Sequence, residues 1–121
     1  MIAIPAIDLR EGACVQLVGG SYDAERVRVE DPLDALKQWL ALGFRTFHVV
    51  DLDAALGKGS NAEVVSRLVS HAPGLTFTVG GGVRDVARVE AVLVGGASAV
   101  VVGTRAIEDL AWLREVAERF P

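Results

Sequence analysis

Asp8, Asp51, the run Gly80, Gly81, Gly82, Val83, Arg84 and the pair Gly103, Thr104 each follow a short apolar segment. A carboxylate held at the tip of an apolar strand can exchange a proton with a bound sugar, and Asp8 after "IAIPAI" has that placement. Capping of a loop is the commoner fate of such an aspartate and stands as its alternative. Three consecutive glycines leave backbone N–H groups unobstructed. Where they feed a helix N-terminus they offer a phosphate both amide donors and the positive end of the helix dipole. Gly103 and Thr104 repeat the device one strand later, which favours phosphate binding at Gly81, Gly82, Gly103 and Thr104 over a simple turn. Arg84 can contact the same phosphate or pair with Asp85. Asp51 and Asp53 flank Leu52, and strand alternation would point both the same way. Asp51 is expected to support or hydrogen-bond the substrate. His48, within a strand, reads as packed or helix-facing.

These residues need strands that end on one rim. Ile2 to Asp8 is the first such strand, and "EGACVQLVGGSYDAERV" follows as a long excursion with some β character. Gly20 in that excursion is placed among the substrate contacts. Asp31 and Pro32 open a helix with Leu33, Leu36 and Leu40 on one face, and Gly43 stops it. The pattern repeats three times. "RTFHVVDLD" leads to the helix "SNAEVVSRLVSH", whose Ser60 and Glu63 have capping-box spacing. "LTFTVG" leads to a helix from Asp85 to Leu93, and "SAVVVG" to one that begins near Asp109. Four βα units with right-handed crossovers predict a parallel sheet. In an unreversed strand order all helices lie on one side, the arrangement of a (β/α)4 half-barrel in a single domain over residues 1–121; a small doubly wound sheet fits the same element order.

The chain has 121 residues, 51% of them apolar, and 12 basic against 16 acidic residues give a net charge of -4. It carries no basic run suited to nucleic acid and no apolar segment long enough to span a membrane. The single cysteine, Cys14, cannot form an internal disulfide. That fits a reducing cytoplasm, and no grouping has metal-ligand spacing.

The segments "IPAIDLREGACVQLVGG", "FHVVDLDAALGKGSN", "VGGGVRD" and "VVVGTRAIED" closely resemble the phosphoribosylformimino-aminoimidazole carboxamide ribotide isomerases of histidine biosynthesis. The resemblance runs across essentially the whole chain. It implies a (β/α)8 barrel, no cofactor, and an Amadori rearrangement of a phosphorylated sugar-nucleotide from aldose to ketose. It matches Asp8 to the catalytic aspartate of the first strand, and Gly82, Gly103 and Thr104 to one of two phosphate cradles. Gln16 stands where many members carry arginine. A barrel of this class has about 250 residues, so the fifth-strand aspartate and the second cradle fall outside the chain. Two copies would then close the barrel as a homodimer. The alternative is an inactive phosphate-binding half-barrel, or a fragment that needs a separate C-terminal half. Ile4, Phe47, Val49 and Val100 or Val101 are expected to fill the barrel interior, and strands one and four to present unpaired edges.

Overall fold

The computed structural model describes residues 2–17, 19 and 21–121; Gly20, expected among the substrate contacts, lies outside the described residues. Its elements are β1 (Ala6–Arg10), β2 (Ala13–Leu17), β3 (Glu25–Val29), α1 (Pro32–Ala41), β4 (Thr46–Asp51), α2 (Leu52–Ala55), α3 (Ala62–Val69), β5 (Thr76–Gly80), α4 (Val86–Val94), β6 (Ala99–Val100), α5 (Thr104–Glu108) and α6 (Leu110–Arg119). They form one sheet in the order β3-β2-β1-β4-β5-β6. The strands β1, β4, β5 and β6 run parallel and in chain order, without reversal. No described helix is long and apolar enough to cross a membrane.

Alternation along the strands decides what packs where. Ile7 and Leu9 of β1, Phe47 and Val49 of β4, and Phe77 and Val79 of β5 are buried. They join Ala35 and Leu36 of α1, Val65 and Leu68 of α3 and Val92 of α4 in one apolar cluster. The Phe47 and Phe77 rings stack with centroids 5.4 Å apart, and Trp39 lies 6.4 Å from Phe47. Helices α1, α3 and α4 therefore cover the same face, which is the half-barrel arrangement and not the doubly wound one. Phe47 and Val49 belong to this helical layer, so their expected place in the barrel interior is corrected. The opposite face carries Ala6, Asp8, Thr46, His48, Val50, Thr76, Thr78, Ala99 and Val101, all half-buried or exposed.

The excursion after the first strand is a β-hairpin. β2 pairs antiparallel with β1 from Asp8↔Val15 to Arg10↔Ala13, and β3 pairs with β2. The outer edge of β1 is thus covered at its C-terminal end, where an unpaired edge was expected. The β1–β2 turn has only two residues, Glu11 (φ 50) and Gly12 (φ 78). Both are left-handed, as a hairpin turn matched to strand twist requires.

Three helices start near their expected positions, and the cap expected at Asp31 forms. Asp31, Asp85 and Asp109 cap α1, α4 and α6 by accepting from Leu33 N, Arg88 N (2.7 Å) and Trp112 N (2.9 Å). The capping box at Ser60 and Glu63 does not form, because the N-cap of α3 falls one residue later, at Asn61, whose side chain is engaged by Asp51 and Asp53. A further short helix, α5, separates β6 from α6.

Candidate active site

Asp8, midway along β1, and Asp51, the last residue of β4, lie one register step apart on adjacent strands but on opposite faces. Register pairs Asp8 with Val50 and Leu9 with Asp51, so Asp8 emerges on the uncovered face and Asp51 points into the helical layer. Asp8 is half-buried. Burial pushes its carboxyl above its ordinary value, and His48 nearby pulls it part of the way back. A carboxyl so placed holds a proton more readily than a surface aspartate and can both give and take one.

Asp51 is fully buried, with both carboxylate oxygens engaged by the protein. Oδ2 accepts from Asn61 N at 2.7 Å, and Oδ1 from Asn61 Nδ2 at 2.8 Å and Ala54 N at 3.0 Å. Its expected role in holding substrate is corrected: it caps α2 and anchors Asn61. Asp53 converges on the same amide, since Asn61 Nδ2 also donates to Asp53 Oδ2 at 2.8 Å. Glu11 N donates to that oxygen, Tyr22 Oη donates to Asp53 Oδ1 at 2.6 Å, and Gly12 N donates to Asn61 Oδ1. Burial pushes the Asp53 carboxyl up, but the bonds from Tyr22, Glu11 and Asn61, with Arg10 nearby, outweigh it and hold the group below its ordinary value.

The glycine loops after β5 and β6 share a cleft of about 290 Å³, lined by His48, Val50, Ala55, Gly80, Gly81, Gly82, Val83, Arg84, Val101, Gly103, Thr104 and Arg105. Five of the sequence candidates thus come together. The glycines have different reasons to be there. A Cβ on Gly81 (φ +98) would lie 2.8 Å from Asp51 N, and one on Gly82 (φ +69) would lie 2.7 Å from Ala54 Cβ. Those two residues let the β5–α4 loop close against the β4–α2 turn. Gly103 faces open space. Arg84 does not pair with Asp85, whose oxygen caps α4. Arg84 Nη2 donates to Ala55 O at 2.9 Å, and Arg105 Nη1 donates to Arg84 O at 2.6 Å, so both guanidiniums sit at the cleft wall with their geometry fixed.

His48 is the residue the sequence reading misplaced. It stands on the uncovered face, lines the cleft, and its Nδ1 is 2.7 Å from Thr78 Oγ1. The clue was parity: Thr46 and His48 alternate with Phe47 and Val49, as Thr76 and Thr78 do with Phe77 and Val79. Cys14 is buried, and burial first, with the Asp8 charge second, pushes its thiol up. Both disfavour the thiolate that a nucleophile needs.

Residues 2–121 match the family described as histidine biosynthesis protein. The chain belongs to this family. It is 74% identical over 121 residues to the 1-(5-phosphoribosyl)-5-((5-phosphoribosylamino)methylideneamino) imidazole-4-carboxamide isomerase of Myxococcus xanthus, covering all of this chain and 51% of that protein. Isomerases of the same name from Gemmatimonas aurantiaca and Thermomicrobium roseum are 54% and 47% identical, again over 121 residues. These alignments take in 100% and 99% of this chain and 51% and 50% of those relatives. The chain spans about half the length of the curated relatives it matches. Within the family, the four segments quoted above fall on β1 with its hairpin, β4 with the α2–α3 turn, the β5–α4 loop and the β6–α5 loop.

Proposed function

We propose that this chain supplies the first half of the active site of a histidine-pathway aldose-ketose isomerase. In this reading Asp8 is its acid-base residue, and Gly81, Gly82, Arg84, Gly103 and Thr104 form its phosphate seat. The observation that carries the reading is the placement of Asp8: half-buried, with no side-chain donor on its carboxylate among the described residues, beside His48 and on the same uncovered face as the glycine cleft. The rearrangement needs a proton on the ring oxygen as the C1–O bond opens to an imine, then removal of the C2 proton to give an enaminol, which takes a proton at C1 and loses one from its C2 hydroxyl as the ketose forms. An acid and a base on opposite sides of the sugar serve best. A second half-barrel on the uncovered face would bring the second group.

The partner we propose is a second copy of this chain, whose Asp8 and glycine loops would stand half a turn away around a closed barrel. A two-fold assembly regenerates the acid-base pair from one carboxylate. An asymmetric substrate would then bias the two copies to different protonation states by desolvating one of them. The relatives, twice as long in one chain, favour a second reading in which a distinct C-terminal half completes the site. The test is to measure the assembled mass of the purified chain and its turnover of the phosphoribosyl substrate, alone and with the C-terminal half of the Myxococcus isomerase added. A dimer that turns over alone supports the first reading. Turnover only on addition supports the second, and none in either case removes the enzyme assignment.

A further inference from the structure

The only tyrosine of the chain lies in the β2–β3 connection and reaches the buried Asp53 carboxylate of α2. We propose that Tyr22 is a positioning residue for Asp8: its hydroxyl fixes Asp53, Asp53 fixes the Glu11–Gly12 turn, and that turn ends the strand that carries Asp8. The positioning role rests on the isomerase reading above; the structural clasp does not.

Each link is a short, directed contact. Tyr22 Oη donates to Asp53 Oδ1 at 2.6 Å, and Asp53 Oδ2 accepts from Glu11 N at 2.7 Å. Asn61 braces the arrangement from below, accepting from Gly12 N at 2.8 Å and donating to Asp53. Glu11 is the one described non-glycine residue with positive φ, a conformation that carries a strain cost for a side chain of its size. An acceptor fixed on its N–H offsets that cost. Asp8 is three residues upstream and paired to Val15 across the same hairpin, so a relaxed turn changes the twist at Asp8.

The ring is held as well as the hydroxyl. Lys58 Nζ lies 4.0 Å and Arg10 Cζ 4.3 Å from its centroid, a cation-π arrangement that leaves Tyr22 few alternative rotamers. Arg10 is in turn fixed by Glu25. The charged groups that face Tyr22 are therefore Asp53 and Glu11, which raise its phenol pKa, and Arg10, which lowers it, with Lys58 over the ring; the hydrogen bond to Asp53 is the largest influence and the net direction is up.

The experiment combines Tyr22→Phe, which removes only the hydroxyl, with Asp53→Asn and the double variant. In the assembly that turns over, Tyr22→Phe should lower kcat about 10-fold with KM within about twofold, the split expected when a catalytic group is misaligned but substrate contacts remain. The double variant should be no worse than Asp53→Asn alone, because both changes break one chain of contacts. Unchanged kcat, or additive losses, would overturn the proposal.

Two further readouts need no turnover and separate failure of the clasp from failure of the isomerase reading. Amide exchange at Glu11 and Gly12 should be slow in the wild-type chain and about 10-fold faster in Tyr22→Phe. The Asp8 carboxyl, followed by NMR, should titrate above its ordinary value in wild type and closer to it in Tyr22→Phe. Fast exchange at both amides in wild type, or an Asp8 titration indifferent to Tyr22→Phe, would overturn the proposal even if the chain proves to be an active isomerase.

Discussion

Asp8 and Asp51 lie on neighbouring strands, one residue apart in register, and their surroundings have little in common. Asp8 faces an uncovered sheet face with no side-chain donor among the described residues, and its proton is held more tightly than usual. Asp51 faces the helical layer, where Asn61 and Ala54 occupy both of its oxygens. A one-residue difference in register separates a group free to do chemistry from one consumed by architecture. The same division holds between the two loop systems. Around Asn61, the amides of Glu11, Gly12 and Ala54 and the Tyr22 hydroxyl all find acceptors, and the β1–β2 and β4–α2 turns are locked together. Around Gly103, the chain leaves backbone exposed in a cleft with room for a ligand.

The largest expected effect breaks the first half of this contrast. Asp8→Asn should lower turnover about 1,000-fold, roughly 4 kcal/mol at the transition state, with circular dichroism unchanged. Asn61→Ala should act in the opposite way. It leaves two buried carboxylates short of donors and should cost about 3 kcal/mol in a urea titration. Should Asn61→Ala melt like wild type, the buried network would not be what holds the loops.

Next come the glycines. Gly81→Ala forces a Cβ against the Asp51 backbone at positive φ, and should lower stability by about 2 kcal/mol. Gly103→Val meets nothing and should fold normally, but weaken phosphate binding about 10-fold by calorimetry. Equal phosphate affinity in Gly103→Val and wild type would remove the phosphate assignment.

The smallest effect is in pH. Asp8 holds its proton more tightly folded than unfolded, so its contribution favours the fold below the ordinary carboxylate value and is lost as pH rises through its raised value. Asp53 runs the other way: its contribution is present above the ordinary value and lost as pH falls through its lowered one. At pH 7, Asp8→Asn should therefore raise the melting temperature slightly, by about 2 °C, a gain expected where a half-buried carboxylate is held at a cost.

Much of this arrangement could be read from residue types. The four βα units, the cap at Asp31, the helix starts near Asp85 and Asp109, and the glycine loops at Gly81, Gly82, Gly103 and Thr104 all follow from local signals. The hairpin was harder to see. Its two-residue turn places Glu where Asn or Asp is usual, and the bond from Glu11 N that offsets this comes from Asp53, 42 residues away. The start of α3 was hidden for the same kind of reason, since Asn61 answers to Asp51 and not to its own helix. Facing was the third difficulty. Phe47 and Val49 are as suited to a barrel interior as to a helical layer, and only the polar partners at alternate positions, His48 and Thr78, mark which side lies uncovered.

The most direct test of the shared-site account is a mixing series of wild type with Asp8→Asn, after confirming that both assemble alike and exchange subunits. If each site uses Asp8 from both copies, turnover falls as roughly the square of the wild-type fraction, because mixed dimers are nearly inactive. A linear fall, or undiminished turnover by the Asp8→Asn homodimer, would contradict it.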